Sequence, residues 1–384
     1  MSPTPAAAQA AAVLPDYAGA NLVGVVPGLM ARPGQRPDWI PEAARDAEQV
    51  VLLVLDGLGW NQLQERLDRA PELAALSGHE ITSVAPTTTA CALTSLVVGA
   101  PPARHGIVGY RVAVETPTGH EVMNVLKWRT PSGDARPWVD PATFQSADPF
   151  GGRPVPVVSK ADFAGTGFTV AHQRGSRQVG WYQVSGMTVE TAALVAAGEP
   201  FVYAYYDGVD RIAHIHGFGP HYDAELLAAD RIVGDLLDVL PPSAALVVTA
   251  DHGQVQVGAA IVELDATVME KVAMVSGEPR FRWLHTPTGS PEDVAELEVR
   301  CRELYGHQAW VATYAQVEAD GWLGGPVSAE VRPRLGDVAL VPFEAVAYVE
   351  PGDGVENRLM CRHGSLTAEE MFVPLIAGRG RLRA

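Results

Sequence analysis

The chain has 384 residues, of which 47% are hydrophobic and 19% charged, so it can bury a large core and form one large domain or one domain with a cap. Its formal net charge of −17 opposes binding to a nucleic acid polymer, because an acidic surface repels the phosphate backbone. No apolar run reaches the roughly 18 residues of a membrane span, and the three cysteines are odd in number and widely spaced, so no disulfide framework is implied.

The first segment, 1–20, is a leader whose beginning is rich in Ala and Pro. It lacks the Lys/Arg cluster and the apolar block of a secretory signal. We therefore expect this leader to be disordered and the protein to be a globular, cytoplasmic one without a membrane partner.

Three segments share one pattern, an apolar β-branched run that ends in a carboxylate: VVLLVLD at 50–56, FVYAYYD at 201–207 and AALVVTAD at 244–251. Continuous apolar runs are typical of strands buried on both faces of a largely parallel sheet. Helical patterns lie between them, notably at 60–76 and 222–240. The sequence predicts an α/β fold with helices flanking the sheet. Ligands of such folds gather at the carboxyl ends of the strands, where the three carboxylates fall.

The remaining segments do not follow this alternation of strand and helix patterns. We predict a catalytic core at 21–254 and 355–384, and an inserted α+β cap at 255–354 that contains a helix at 291–305. Residues 110–198 hold many Pro and Gly and few long periodic runs, which favours loops and short elements over the sheet edge.

The first two motifs combine a candidate metal ligand with a helix start. In LDG at 55–57, a buried strand delivers Asp56 into a Gly-permitted turn, and a carboxylate there is a good hard ligand for a divalent metal. In PTTTACALTSLVVG at 86–99, Pro86 and the threonines open a helix whose N–H groups and dipole favour an anion such as a phosphoryl oxygen. Each motif alone is more often a turn or an N-cap.

Three later motifs add further candidate ligands. DGVDRIAH supplies Asp210 and His214 on one face of a helical turn, TADHG places Asp251 and His252 after a buried strand, and CRHGSL contributes His363. Neighbouring residues at a strand end point in different directions, so one pair can serve two metals about 4 Å apart. Chance explains each motif more easily than the set.

In this order, the motifs resemble the type I phosphodiesterase/nucleotide pyrophosphatase family of the alkaline phosphatase superfamily. The matching stretches are LDG, PTTTACALTSLVVGAPPARHGIVGY, YYDGVDRIAHIHGFGP, TADHG and RHG. The resemblance implies an alkaline-phosphatase-like core, hydrolysis of a phosphoric ester and two zinc ions, for which manganese or iron would also suit the mixed Asp/His ligands.

The resemblance also implies a role for each residue. Thr89 would be the nucleophile and would contact the zinc that activates it, because the family's P-T-x-T motif places the catalytic hydroxyl three residues after Pro86. The other ligands of that zinc would be Asp56, Asp251 and His252. The ligands of the second zinc would be Asp210, His214 and His363.

The sequence departs from the family at Tyr110, where many members have an Asn whose amide holds a phosphate oxygen. A Tyr hydroxyl also donates a hydrogen bond, but it reaches farther and fills more space. The contact to the phosphate oxygen is therefore expected from Tyr110, Asn124, Lys127 or Arg129, or from a backbone amide.

The favoured function is cleavage of a phosphodiester or nucleotide pyrophosphate bond in a small-molecule substrate, through a covalent phospho-threonine intermediate. An alternative is a phosphomonoesterase or phosphonate hydrolase on the same metal frame, for which Lys127 and Arg129 supply cationic groups. An alternative of another class is a non-catalytic, metal-stabilised binding module. The sequence leaves the leaving group and the oligomeric state open.

Overall fold

A large central sheet organises the protein, whose computed structural model describes residues 11–351 and 358–382. The strands in chain order are β1 (Gln49–Leu55), β2 (Ser77–Thr82), β3 (Arg111–Thr116), β4 (Gly119–Asn124), β5 (Arg129–Thr130), β6 (Gly133–Asp134), β7 (Pro156–Lys160), β8 (Arg177–Trp181), β9 (Phe201–Tyr206), β10 (Ala244–Thr249), β11 (Val255–Gln256), β12 (Ile261–Glu263), β13 (Met274–Glu278), β14 (Phe281–His285), β15 (Ala309–Thr313), β16 (Val338–Pro342), β17 (Ala347–Val349), β18 (Cys361–Arg362) and β19 (Phe372–Arg379).

Helices of four to twenty residues connect and cover these strands. In chain order they are α1 (Leu22–Leu29), α2 (Glu42–Arg45), α3 (Trp60–Gln64), α4 (Pro71–Ala74), α5 (Thr89–Val98), α6 (Pro102–His105), α7 (Pro141–Phe144), α8 (Gly167–Gln173), α9 (Ser185–Ala196), α10 (Gly208–His216), α11 (Pro220–Val239), α12 (Ala266–Met269), α13 (Pro291–Tyr305), α14 (Tyr314–Ala319) and α15 (Ala368–Met371).

The central sheet has the strand order β2-β19-β10-β1-β9-β7-β8 within the described residues. The run from β10 to β8 is parallel, whereas β19 pairs antiparallel with both β10 and β2. Every residue of β10 and all but the first of β1 are buried, as expected for strands covered by helices on both faces. The predicted α/β fold with a mostly parallel sheet is confirmed.

The register of the sheet brings the carboxylates together. β1 lies between β9 and β10, with Leu55 opposite Tyr206 and Val54 opposite Thr249. The chain leaves all three strands at the same edge, so Asp56 and Asp251 meet there although they are far apart in sequence. This edge carries the candidate active site.

The prediction for 110–198 was wrong in part. The segment contains a small antiparallel sheet, β3 to β6, and then contributes β7 and β8 to the central sheet, with α8 and α9 beside them. Each of these two strands has only five residues, and β8 is a largely exposed edge strand of sequence RQVGW. Such short or polar strands carry too few apolar positions for a periodic signal.

A second, antiparallel sheet of order β13-β14-β16-β15 packs with α13 around its own apolar cluster. α13 spans Pro291–Tyr305, which confirms the predicted helix at 291–305. The proposed cap boundaries at 255 and 354 stay a prediction, and 354 lies outside the described residues.

The described part of the leader, 11–20, corrects the expectation of disorder. The Val13 N–H donates to the Leu366 carbonyl at 2.9 Å, and the Tyr17 hydroxyl donates to the Trp322 carbonyl at 2.9 Å. Ala12, Val13 and Tyr17 pack against the core. These contacts could not be predicted from the Ala-rich composition, because their partners lie hundreds of residues away in the sequence. Residues 1–10 lie outside the described residues.

Candidate active site

The hydroxyl of Thr89 lies at the start of a buried helix. Thr89 is the first residue of α5, and Thr88 before it has extended backbone, with φ −132° and ψ 143°. Within the described chain, the Thr88 side chain makes no capping hydrogen bond to the helix. The first turn therefore keeps backbone donors and the positive end of the helix dipole for an anion. Thr89 Oγ1 lies 3.1 Å from Nε2 of His252.

Asp56, Asp251 and His252 form the first cluster of candidate ligands. His252 Nε2 lies 3.6 Å from Asp56 Oδ1 and 3.4 Å from Asp251 Oδ2. All three residues are buried, and one ligand atom from each lies within 4.8 Å of the other two. The structure thus brings together the three residues predicted to hold the zinc next to the nucleophile.

Two oxygens of this cluster indicate a cation. Asp56 Oδ1 and Asp251 Oδ2 are buried and have no hydrogen-bond partner among the described residues. Burial of a charged oxygen without a partner is costly. Burial, together with the nearby charges of Asp251 and Asp210, raises the pKa of Asp56 well above its ordinary value. A divalent cation would satisfy both oxygens, so this set of side chains fits a metal ion.

Hydrogen bonds outside the cluster orient these ligands. The Asp251 Oδ1 atom accepts from the backbone N–H groups of Gly57 and His252, both at 3.1 Å. His252 Nδ1 lies 3.0 Å from the Gly253 carbonyl, which assigns the proton to Nδ1 and leaves the Nε2 lone pair for a cation. The Tyr205 hydroxyl donates to Asp56 Oδ2.

Asp210, His214 and His363 form the second cluster. Asp210 Oδ1 lies 3.3 Å from His214 Nε2 and 3.9 Å from His363 Nε2. Each histidine turns its other nitrogen to a backbone carbonyl: His214 Nδ1 lies 2.7 Å from the carbonyl of Cys361, and His363 Nδ1 lies 2.8 Å from that of Thr87. Such bonds fix the tautomer that leaves Nε2 for a metal.

The two clusters share a border. The His252 and His363 rings stack with centroids 3.5 Å apart, and the ligand atoms of Asp210, His252 and His363 also lie within 4.8 Å of one another. Burial, followed by the neighbouring His252 and His214, lowers the pKa of His363 well below its usual value. Its imidazole is therefore neutral at pH 7, the form that binds metals.

Three supporting residues were missed by the sequence analysis. Tyr205 reaches Asp56 because β9 pairs with β1 and sets Tyr205 opposite Val54. Gln254 donates to Asp210 Oδ1 at 3.1 Å, and Lys160 donates to the strand-end carboxylate of Asp207 at 2.6 Å. Because both β1 and β9 were predicted as strands of one sheet, a contact between Tyr205 and Asp56 could have been predicted. Lys160 could not, because it lies on β7, a strand that the sequence pattern did not indicate.

Two cavities open at Thr89. The larger, of about 590 Å³, is also lined by Asp56, Asp210 and Lys127. The smaller, of about 260 Å³, is lined by Thr89 together with Tyr110 and His363.

The residues predicted to bind the substrate lie at different places relative to these two cavities. Tyr110 lines the smaller one, and its hydroxyl accepts a hydrogen bond from the Asn124 amide at 2.5 Å. Lys127 lines the larger one. Arg129 is exposed on β5 and is not among the described residues that line either cavity.

The model of the family named Type I phosphodiesterase / nucleotide pyrophosphatase matches residues 50–365 of the chain. None of the curated protein sequences matches this chain. No helix of the described residues is long and apolar enough to cross a membrane.

Solved structures share the fold at low sequence identity. Murine ectonucleotide pyrophosphatase / phosphodiesterase 5 has 16% identity and a TM-score of 0.63, with 87% of this chain and 88% of that chain covered. Phosphonoacetate hydrolase from Sinorhizobium meliloti 1021, in complex with phosphonoformate, has 19% identity and a TM-score of 0.64, with 92% and 94% covered.

Proposed function

Because the chain belongs to the type I phosphodiesterase / nucleotide pyrophosphatase family and is a phosphoric ester hydrolase, we propose that Thr89 attacks a phosphodiester or nucleotide pyrophosphate bond in a site that binds two zinc ions. One observation carries the proposal. The Thr89 hydroxyl lies 3.1 Å from His252 Nε2, beside carboxylate oxygens of Asp56 and Asp251 that have no other partner among the described residues.

The donor atoms support two cations. Asp56, Asp251, His252 and Thr89 would hold one, and Asp210, His214 and His363 the other. When bound, the two cations would supply positive charge that offsets the charge of the phosphate and favours ionisation of a hydroxyl. Mixed carboxylate and imidazole ligands suit zinc, with manganese or iron as the alternatives.

The residues of the chain divide the reaction between them. Thr89 Oγ1 forms a bond to phosphorus, and the bond from phosphorus to the leaving oxygen breaks, which yields a phospho-threonine and an alcohol or phosphate. Water then attacks the same phosphorus, the bond from phosphorus to Thr89 Oγ1 breaks, and a proton of the water restores the Thr89 hydroxyl while the phosphate product leaves. The first turn of α5 directs its N–H groups to the phosphoryl oxygens during both steps.

Tyr110 is the proposed contact for a phosphate oxygen. Tyr110 lines the smaller cavity beside Thr89, and its hydroxyl accepts a hydrogen bond from Asn124, so its own proton is oriented away from that amide. In this arrangement Asn124 positions Tyr110 rather than binding the phosphate itself. Lys127 faces the organic part of the substrate in the larger cavity.

A second candidate is a phosphonate hydrolase. The observation in its favour is Lys127, an exposed cation on the cavity beside Thr89, which would pair with a substrate carboxylate. Phosphate release from phosphonoacetate tests this candidate directly.

The first experiment compares turnover of bis(4-nitrophenyl) phosphate and 4-nitrophenyl phosphate, with metal-stripped protein and with the same sample reconstituted with zinc. We expect zinc-dependent cleavage that favours the diester. A preference for the monoester would replace the proposal by the phosphatase alternative. Two bound zinc ions without turnover of any ester would favour the metal-stabilised binding module.

We also propose a cytoplasmic location. Fractionation of source cells with an antibody to the protein tests it, and recovery outside the cytoplasm would contradict it.

A further inference from the structure

The larger cavity beside Thr89 has mostly apolar walls. The apolar side chains that line it are Leu93, Leu126, Phe163, Phe168, Ile215 and Leu359. Its volume of about 590 Å³ is in the range of roughly 300–1,000 Å³ that holds small organic ligands. The cavity is therefore large enough for an organic group attached to the phosphate, and its walls favour an apolar one.

The cationic side chains of this cavity lie at its exposed edge. The cationic residues that line it, Lys127 and Arg211, are both exposed. The carboxylate of Asp207 accepts a hydrogen bond from Lys160 at 2.6 Å, so its charge is already paired. An anionic group deep in the cavity would lose its hydration without gaining a buried cation from the described residues.

One polar side chain of the lining differs from the others. His172, near the end of α8, is 3% exposed, and its ring stacks on Phe168 with centroids 3.9 Å apart. Its Nδ1 lies 2.6 Å from the Phe168 carbonyl, so Nδ1 carries the proton. The other nitrogen, Nε2, is buried and has no hydrogen-bond partner within residues 11–351 and 358–382.

The protonation of His172 defines what Nε2 can do. Burial lowers the pKa of His172 to about 4, so the ring is neutral at pH 7. With the proton on Nδ1, Nε2 is an acceptor only. A buried acceptor without a partner is costly, and a ligand that brings a donor removes that cost.

We propose that this cavity binds an uncharged, apolar organic group of the phosphate ester, and that His172 Nε2 accepts a hydrogen bond from a hydroxyl or N–H of that group. The inference rests on the proposed function, since it concerns the substrate of the same site. His172 is a specificity-determining residue in this view, because it contacts the organic group and takes no part in bond cleavage.

The first test varies the organic group. The zinc-loaded enzyme is assayed with 4-nitrophenyl diesters that carry a methyl, benzyl or carboxymethyl group, which share an alkoxy oxygen and release the same 4-nitrophenol. Burial of the ring should raise kcat/KM for the benzyl ester about 10- to 100-fold above the methyl ester. Equal values for the two esters, or a preference for the carboxymethyl ester, would overturn the apolar pocket.

The second test removes the acceptor. We compare the three hydroxybenzyl isomers with the fluorobenzyl isomers of similar size, in the wild type and in His172→Phe. At least one hydroxybenzyl ester should exceed its fluoro counterpart by about 3- to 10-fold in the wild type, the effect of one neutral hydrogen bond, and this ratio should fall to about 1 in the variant. The readout is a ratio within one protein, so a general loss of active protein cancels.

Two further variants complete the design. His307→Phe makes the same change at an exposed position of the cap and should leave the hydroxy/fluoro ratio unaltered. Phe163→Ala, at a partly exposed wall residue, should reduce the benzyl/methyl ratio. Persistence of the hydroxy/fluoro ratio in His172→Phe, or absence of that ratio in the wild type, would overturn the role of His172. Failure to cleave every diester would instead contradict the proposed function.

Discussion

Two groups of buried carboxylates in this protein have opposite surroundings. At the sheet edge, Asp56 and Asp251 each keep one buried oxygen without a hydrogen-bond partner among the described residues. Where the second sheet meets the core, Glu370 is fully buried, and both its oxygens are bound by the Arg280 guanidinium at 2.8 and 2.7 Å.

The partners of Glu370 explain its position. It also accepts from the Ser365 N–H at 3.0 Å and from the Thr367 hydroxyl at 2.6 Å. Arg280, in the β13–β14 turn, further donates to the carbonyls of Glu344 and Val346. This pair therefore joins the second sheet to α15 and to the loop between His363 and that helix.

This difference distinguishes a carboxylate that stabilises the fold from a carboxylate that serves as a metal ligand. A carboxylate that the fold itself satisfies stabilises one arrangement of the chain, and removal of its partner leaves an uncompensated charge. A carboxylate that the fold leaves unsatisfied is destabilising until a cation binds. The sheet edge belongs to the second kind, and five predictions test this contrast.

The largest effect should come from Thr89→Ala, which removes the proposed nucleophile without touching either carboxylate group. We expect kcat for a diester to fall at least about 10,000-fold, while zinc still binds through the Asp and His ligands. Steady-state kinetics and metal analysis of the same sample measure both. Full activity in the variant would refute the assignment of Thr89.

Arg280→Met should destabilise the protein by about 3–5 kcal/mol, because it leaves the Glu370 charge buried and alone. Urea unfolding of the metal-free protein measures this. Arg32→Met, at an exposed position, is the matched control and should change the free energy of unfolding by less than about 0.5 kcal/mol. A loss below 1 kcal/mol for Arg280→Met would show that Glu370 is not held as described.

The same chemical change should have opposite signs in the two groups. Asp251→Asn removes a buried charge and brings an amide donor near His252 Nε2, so the metal-free protein should gain about 1–2 kcal/mol. Glu370→Gln should lose at least about 1 kcal/mol, since two of its strongest bonds are to a cation. Thermal unfolding of chelator-treated samples compares them; equal signs would contradict the contrast.

Zinc should reverse the order of the melting temperatures of the Asp251→Asn and Glu370→Gln variants. It should raise the melting temperature of Glu370→Gln, which keeps every proposed ligand, far more than that of Asp251→Asn.

The smallest effect should follow Tyr205→Phe, which deletes the hydrogen bond to Asp56 Oδ2 but keeps both ligand sets. Loss of such a bond typically weakens metal affinity about 10- to 100-fold. Competition with a zinc chelator measures it. The Tyr203→Phe variant, in the same strand, is the control, since its hydroxyl makes no bond to a ligand among the described residues.

The sequence was sufficient where chemistry and local pattern coincide. The apolar runs before Asp56 and Asp251 predicted buried parallel strands, and the strand ends located the candidate ligands on one edge. Pro86 and the threonines predicted a helix start, and Thr89 is the first residue of α5. Patterns of this kind depend on neighbours within a few residues, so they can be read without the fold.

The sequence was insufficient where a residue depends on distant parts of the chain. Arg129 looked as suitable as Lys127 for a substrate, yet only Lys127 lines a cavity among the described residues. The segment 11–20 looked disordered because its partners, such as Leu366, are far away in sequence.

By itself, then, the sequence determined the α/β fold, the family and the set of Asp, His and Thr residues that meet at the sheet edge. Only the tertiary structure decided that Tyr205 supports Asp56, that Arg280 binds both oxygens of Glu370, and that His172 lines an apolar cavity while its buried Nε2 has no hydrogen-bond partner among the described residues. The physical reason is that burial and hydrogen-bond satisfaction are properties of packed surroundings, which segments far apart in the chain build together.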